Sequence, residues 1–345
     1  MGTPVQDPVK PRRRRRWPRR LGITALVVLG LVLVSTVANL LLEQQERATL
    51  VPYGERVAVN GGSLNVVRSG ASPNGTAQGG SDGVASTGGQ GQPIILLSGL
   101  GTAAPGLDFA PLMRELKGFD VIVVEGFGYG YSDMEASART NEHISNELHE
   151  VLAKLQVRQP YVLAGHSIAG FYLLDYANRY RSEVSAVVGI DVSIPKPGDQ
   201  PVAEPQPGIN WAKLLATLGV VRVVAALAPG LVDPDSKAYT DEELQRMRTM
   251  TVWNVGNPAV ADETARIANN AAALRGVSYP DDLPVLAFIA DEKNDRTATK
   301  TAAAENLLKN VTRHLVLPLE GGHYLHWTQA QRMAEEIQRF VESAG

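Results

Sequence analysis

Six consecutive residues carry the strongest chemical signal in the chain. Gly165-His166-Ser167-Ile168-Ala169-Gly170 follows an apolar run, 161–164, and leads into helical spacing through Phe171, Leu174 and Tyr176. A strand that reverses into a helix within about two residues leaves the apical residue in a strained left-handed conformation, with its side chain standing clear. Small residues are then needed two places before and after it. Gly165 meets the first demand; Ala169 meets the second only partly. A serine held there is a nucleophile once a base withdraws its proton. Six histidines are available. His143 and His149 sit on a predicted helix, His314 opens a predicted strand, and His166 is expected to point into the sheet or away from the pocket. His323 follows the last predicted strand through Leu319-Glu320-Gly321-Gly322. It therefore falls on a loop at the carboxyl edge of the sheet, where open α/β sheets bind ligands. It is the expected base. His326, at the start of the final helix, reads as a structural or supporting group.

These residues need a scaffold, and the apolar pattern supplies one. Runs at 94–97, 121–124, 161–164, 186–190, 285–290 and 314–317 are apolar without alternation and are separated by helical lengths. Strands apolar on both faces imply a parallel sheet covered by helices on both sides. Ahead of them, 57–59 and 64–68 read as two short strands joined at Asn60-Gly61-Gly62. Residues 69–92 are Gly/Ser-rich and predict a surface loop. The alternation stops between 194 and 282. A proline-rich stretch there gives way to helical segments at 211–227, 241–253 and 262–274, which predict a helical cap above the sheet. The last segment, 328–343, places Met333, Ile337 and Phe340 on one face, to pack on the sheet.

The chain has 345 residues, 44% of them hydrophobic and 20% charged, which excludes a disordered chain. It has no cysteine, so disulfides, thiolate nucleophiles and Cys-ligated zinc are excluded together. The net charge of −3 is uneven: residues 1–20 hold eight basic side chains and one acidic one, leaving the remainder at −10. An acidic body argues against nucleic acid as a partner. Residues 21–42 contain no charge, and 22 residues of helix span about 33 Å, enough for a hydrocarbon core of about 30 Å. A cleaved signal peptide would have a shorter apolar core, and this run continues past the one weak cleavage site near Ala38. The expectation is a single-pass anchor in the cell membrane, in contact with lipid. The basic tail 1–20 would lie in the cytoplasm and the body outside it.

From about Tyr53 to the end, the chain resembles the α/β-hydrolase superfamily. Leu97-Ser98-Gly99-Leu100-Gly101 is similar to its oxyanion loop, with Ser98 where histidine is usual. The stretch from Glu125 to Asp133 resembles its glycine-rich turn, Gly165–Gly170 its nucleophile elbow, and Gly321-Gly322-His323 its histidine loop. It is also similar to a membrane-anchored bacterial subgroup with a His-Ser-x-x-Gly elbow and a His-Tyr-x-His ending. The resemblance implies an α/β-hydrolase fold over 53–345, with the cap at 194–282. It implies Ser167 as nucleophile, His323 as base, and the N–H groups of Leu100 and Ile168 as oxyanion hole. The acid is expected at Asp295, 28 residues before His323, with Asp191 at the end of run 186–190 as the alternative. No cofactor or metal is implied, and His323-x-x-His326 lacks a nearby carboxylate at helix-face zinc spacing. The expected substrate is a small acyl compound, an ester or lactone. Two other readings stay open. In a proline-iminopeptidase-like enzyme, Glu263 or Asp262 on the cap would hold a substrate amine; in a non-catalytic member, the fold would only bind ligands.

Overall fold

The computed structural model describes residues 17–68, 91–204 and 208–343, with side chains from residue 21 onward. The arginine-rich start up to residue 16, and 69–90 of the Gly/Ser-rich stretch, lie outside the described residues.

The first helix, α1 (Trp17–Thr49), is long and apolar enough to cross a membrane, and its apolar side chains are exposed. Among the described residues eight strands follow: β1 (Glu55–Val59), β2 (Gly62–Arg68), β3 (Gln92–Leu97), β4 (Phe119–Glu125), β5 (Tyr161–His166), β6 (Val184–Ile190), β7 (Val285–Asp291) and β8 (His314–Glu320). They form one sheet in the order β1-β2-β4-β3-β5-β6-β7-β8. Strands β3 to β8 run parallel, and β1 and β2 are antiparallel additions at one edge. All eight runs read as strands from the sequence are strands here. The uninterrupted apolar character of β3 to β7 follows from burial on both faces: Ile94, Ile95, Leu96, Val121, Ile122, Val123 and Leu163 are inaccessible to water.

Short helices α2 (Pro105–Asp108) and α3 (Ala110–Glu115) follow β3, and α4 (Asn141–Lys154) follows β4. Helix α5 (Ala169–Arg179) follows β5. Among the described residues, four α-helices lie between β6 and β7: α6 (Trp211–Thr217), α7 (Val220–Leu227), α8 (Asp241–Asn254) and α9 (Pro258–Ala273). The sequence reading merged α6 and α7. They are separate because Gly219 takes φ +79°, a left-handed break that ends α6 and starts α7. Between β7 and β8 lies α10 (Asp295–Leu308), and α11 (Leu325–Thr328) and α12 (Ala330–Glu342) close the chain. Met333, Ile337 and Phe340 of α12 are buried against the sheet.

The cap region is held to the sheet by polar contacts as well as apolar ones. Asn254 donates to the Ala103 and Gly130 carbonyls, and Asn257 to the Gly128 carbonyl. Tyr129 and Tyr172 both donate to the buried Glu263 of α9, at 2.7 and 2.5 Å. Glu125, at the end of β4, accepts from Tyr53, Asn65 and the N–H groups of Gly106 and Tyr131. That one carboxylate ties the glycine-rich turn to the segment after β3.

Candidate active site

Ser167 sits at the junction of β5 and α5 with φ +55°, in the left-handed region. Its N–H donates to Ile190 O, and its carbonyl accepts from the N–H groups of Ser193 and Gly170. These bonds over-determine a conformation that an isolated serine avoids. The elbow also explains its small residues. A Cβ on Gly165 would lie 2.8 Å from the Ala169 Cβ, so the absent side chain at 165 makes room for the alanine at 169. A Cβ on Gly170 would collide with the Ser193 carbonyl.

His323 lies on the loop after β8, with its Nε2 2.8 Å from Ser167 Oγ. Its Nδ1 lies 2.6 Å from Asp191 Oδ2. Asp191 directly follows β6, takes φ +44°, and accepts the Ala290 N–H on its other oxygen. Lys300 of α10 donates to Oδ2 at 2.6 Å. Burial alone would raise the Asp191 pKa. The hydrogen bonds from His323, Lys300 and the Ala290 N–H overcome this and hold it at about 2. The carboxylate that meets His323 is thus Asp191, the alternative in the sequence reading, and not Asp295, the residue preferred there. Asp295 opens α10 as its first residue, just after the Asn294 N-cap. The chain past β7 has by then left the histidine and turned into a helix.

His166 does not face solvent. Its Nε2 donates to the His323 carbonyl at 3.1 Å, and its Nδ1 is buried without a partner. Burial, with the nearby His326 and His323 imidazoles, lowers its pKa to about 2, so its ring is neutral. A Cβ at Gly99 would lie 2.7 Å from that Nδ1 and 3.1 Å from the Ser167 Cβ. Glycine therefore lets the loop after β3 approach the elbow closely. His326 engages Asp108 Oδ2 at 2.8 Å, and Trp327 donates to Asp108 Oδ1. Asp108, like Lys300, was not singled out in the sequence. Its pairing joins residues 218 apart.

Leu100 follows Gly99 on the loop after β3, and Ile168 follows Ser167 just before α5. Two cavities flank this region. One of about 980 Å³ is lined by Asp191, His323, Phe171, Ile267 and Lys300. The other, of about 320 Å³, runs from Leu100 and Gly101 past Tyr324 to Leu231 and Val232. The cap carboxylates suggested for a substrate amine are already engaged. Glu263 is buried and takes two tyrosine hydroxyls, while Asp262 accepts the Arg139 N–H and the Arg266 guanidinium. Among the described residues no cluster of His, Asp and Glu has the spacing to hold a metal ion.

The model of the family described as "Alpha/beta hydrolase family" matches residues 94–336. The chain belongs to the alpha/beta hydrolase family. A Bacillus subtilis (strain 168) protein, YbdG, itself uncharacterized, is 25% identical over 292 residues, covering 83% of this chain and 82% of YbdG. Among solved structures, an epoxide hydrolase from Vigna radiata superposes with a TM-score of 0.61 at 15% identity, covering 85% of this chain and 98% of that one. A thermophilic esterase from Thermogutta terrifontis superposes at 0.52 and 17% identity, covering 84% and 99%. At such identities these structures share the fold with this hydrolase-family chain. Its substrate must be argued from its own residues.

Proposed function

We propose that this hydrolase-family chain is a membrane-anchored serine hydrolase that cleaves an ester, lactone or related acyl compound. The observation that carries the reading is the contact chain Ser167 Oγ to His323 Nε2 at 2.8 Å and His323 Nδ1 to Asp191 Oδ2 at 2.6 Å. In this reading Oγ attacks the substrate carbonyl while His323 Nε2 takes its proton. Asp191 accepts the Nδ1 hydrogen, fixes the tautomer and stabilises the imidazolium. The carbonyl oxygen, now an anion, is held by the N–H groups of Leu100 and Ile168; one such donor is typically worth about 3 kcal/mol. The intermediate collapses, the C–O bond to the leaving alcohol breaks, and His323 returns the proton to that alcohol. Water then attacks the acyl-serine by the same route. The neutral His166 serves as a brace for the His323 backbone and takes no part in proton transfer.

The arginine run before the apolar helix supports an N-terminus in the cytoplasm and a hydrolase domain outside it. Labelling with a fluorophosphonate probe tests the chemistry. Labelling of the full chain in detergent that disappears in Ser167→Ala is the expected result. A folded chain that takes no label, and turns over no p-nitrophenyl ester, refutes the reading.

A further inference from the structure

Helix α1 is not a free tether. Ser35 donates to the Leu218 carbonyl at 2.8 Å, and Asn39 to the Ala216 carbonyl at 3.2 Å. These carbonyls belong to the last turn of α6 and the residue that caps it; Ala216 O also accepts the Gly219 N–H, and the side chains of α1 add donors from outside the helix. Gly219 permits the approach: a Cβ there would stand 3.0 Å from Ser35 Oγ. Higher up, Arg222 of α7 holds Asn39 and Glu46, and Trp253 of α8 donates to Glu46 at 3.0 Å.

These contacts fix the depth of the cap. If 21–42 spans the apolar core, Asn39 and Ser35 lie about 5 and 10 Å inside its edge, at 1.5 Å rise per residue. The end of α6 and the start of α7 lie at the same level. An amphipathic helix in a membrane surface buries its apolar face by about 5–10 Å. The residues at that level fit. From 218 to 232 the one charged side chain is Arg222, and it is committed to α1. Trp211, Val223, Leu227 and Leu231 are 63%, 53%, 82% and 77% exposed. An apolar face of this kind, continuous with an apolar transmembrane helix, marks a contact with lipid. Its far end, Leu231 with Val232, also lines the cavity that reaches Leu100 beside the elbow.

We propose that α6, α7 and Leu231 are seated in the bilayer leaflet on the hydrolase side, and that the cavity behind Leu231 admits the acyl chain of an ester dissolved in the membrane. This rests on the anchored-hydrolase reading, and its test separates the two.

The chain has no cysteine, so single labels are clean. Full-length Leu227→Cys, Leu231→Cys, Leu31→Cys and Lys117→Cys variants carry an NBD fluorophore in phosphatidylcholine–phosphatidylglycerol vesicles. Lipids with nitroxides on the acyl chain act as quenchers. Labels at 227, 231 and 31 should emit blue-shifted and lose more than half their intensity to the quencher, while the label at 117 stays aqueous. Quenching at 31 without quenching at 227 and 231 overturns the seating and leaves the anchor standing. Labels at 227 and 231 shielded from water yet unquenched indicate a second copy of the chain on this face, and overturn it too. No quenching at 31 sinks the anchored reading, and the seating with it. In a second arm, Val223→Glu combined with Leu227→Glu should lower kcat/KM for a long-chain ester in vesicles about tenfold. Hydrolysis of p-nitrophenyl acetate should hold. Equal loss on both esters overturns the acyl-entry claim. Inactivity of the unmodified protein on both esters sinks the hydrolase reading, while the quenching still decides the seating.

Discussion

Lys300 Nζ and His323 Nδ1 meet on one oxygen, Asp191 Oδ2, each at 2.6 Å. The lysine shares with the imidazole the one carboxylate that orients it, and its hydrogen bond helps to keep Asp191 ionised. Lys300→Met removes that donor and should lower kcat on a p-nitrophenyl ester by roughly three- to tenfold, the equivalent of one net hydrogen bond. Lys300→Arg should recover most of that loss. An unchanged kcat in Lys300→Met refutes the coupling.

Two carboxylates compete for the triad. Asp191→Asn should lower kcat by about 10⁴, because the amide no longer selects the productive imidazole tautomer. Asp295→Asn should stay within about threefold of the unmodified protein, its side chain lying at the exposed start of α10. The two variants assayed side by side on a p-nitrophenyl ester decide it. Loss in Asp295→Asn alone reverses the assignment.

Asp191 also links stability to pH. Its folded pKa of about 2 lies below the ordinary 3.8, so its stabilisation is complete above about pH 4 and is lost as the pH falls toward 2. At 1.36 kcal/mol per pKa unit, the contribution is about 2 kcal/mol. Urea unfolding in detergent between about pH 5 and about pH 2 should show that fall in the unmodified protein and a flatter curve in Asp191→Asn. Parallel curves reject the linkage.

Glu263 organises the seam between cap and sheet rather than a substrate amine. Glu263→Ala should strand the buried hydroxyls of Tyr129 and Tyr172 and cost about 3 kcal/mol. Glu263→Gln should cost less, since the amide oxygen still accepts one of them. Thermal unfolding reads both. A prolyl anilide cleaved by the unmodified protein and not by Glu263→Gln would revive the aminopeptidase alternative.

Much of this fold was written locally. The eight strands were legible because runs such as 94–97 and 285–290 are apolar on both faces, a pattern that depends on few neighbours. The elbow was legible because strand, glycine, serine and helix follow one another within ten residues. Asp191 was harder. Its fitness depends on a single left-handed residue turning the end of β6 toward a histidine 132 positions away, and no local pattern encodes that contact. Spacing along the chain favoured Asp295, but the start of α10 carries that residue off. Lys300 sits in mid-helix with no motif around it. Asp108 and His326 find each other only through the fold. Ser35 and Asn39 lie in an apolar run, and their partners come from α6, its capping residue and α7.

The seam between α1 and the cap bears on how this protein should be handled. A fragment starting near Tyr53 would be more than the enzyme cut loose from its mooring. It would bare the Leu218 carbonyl, take the Asn39 amide from Ala216, orphan the Arg222 guanidinium and release the Trp253 indole. Its greasy flank would then face water without α1 beside it, held only by the contacts of the cap with the sheet. Purification in detergent with α1 left in place should preserve the roof over Ser167, and the trimmed fragment should lose it.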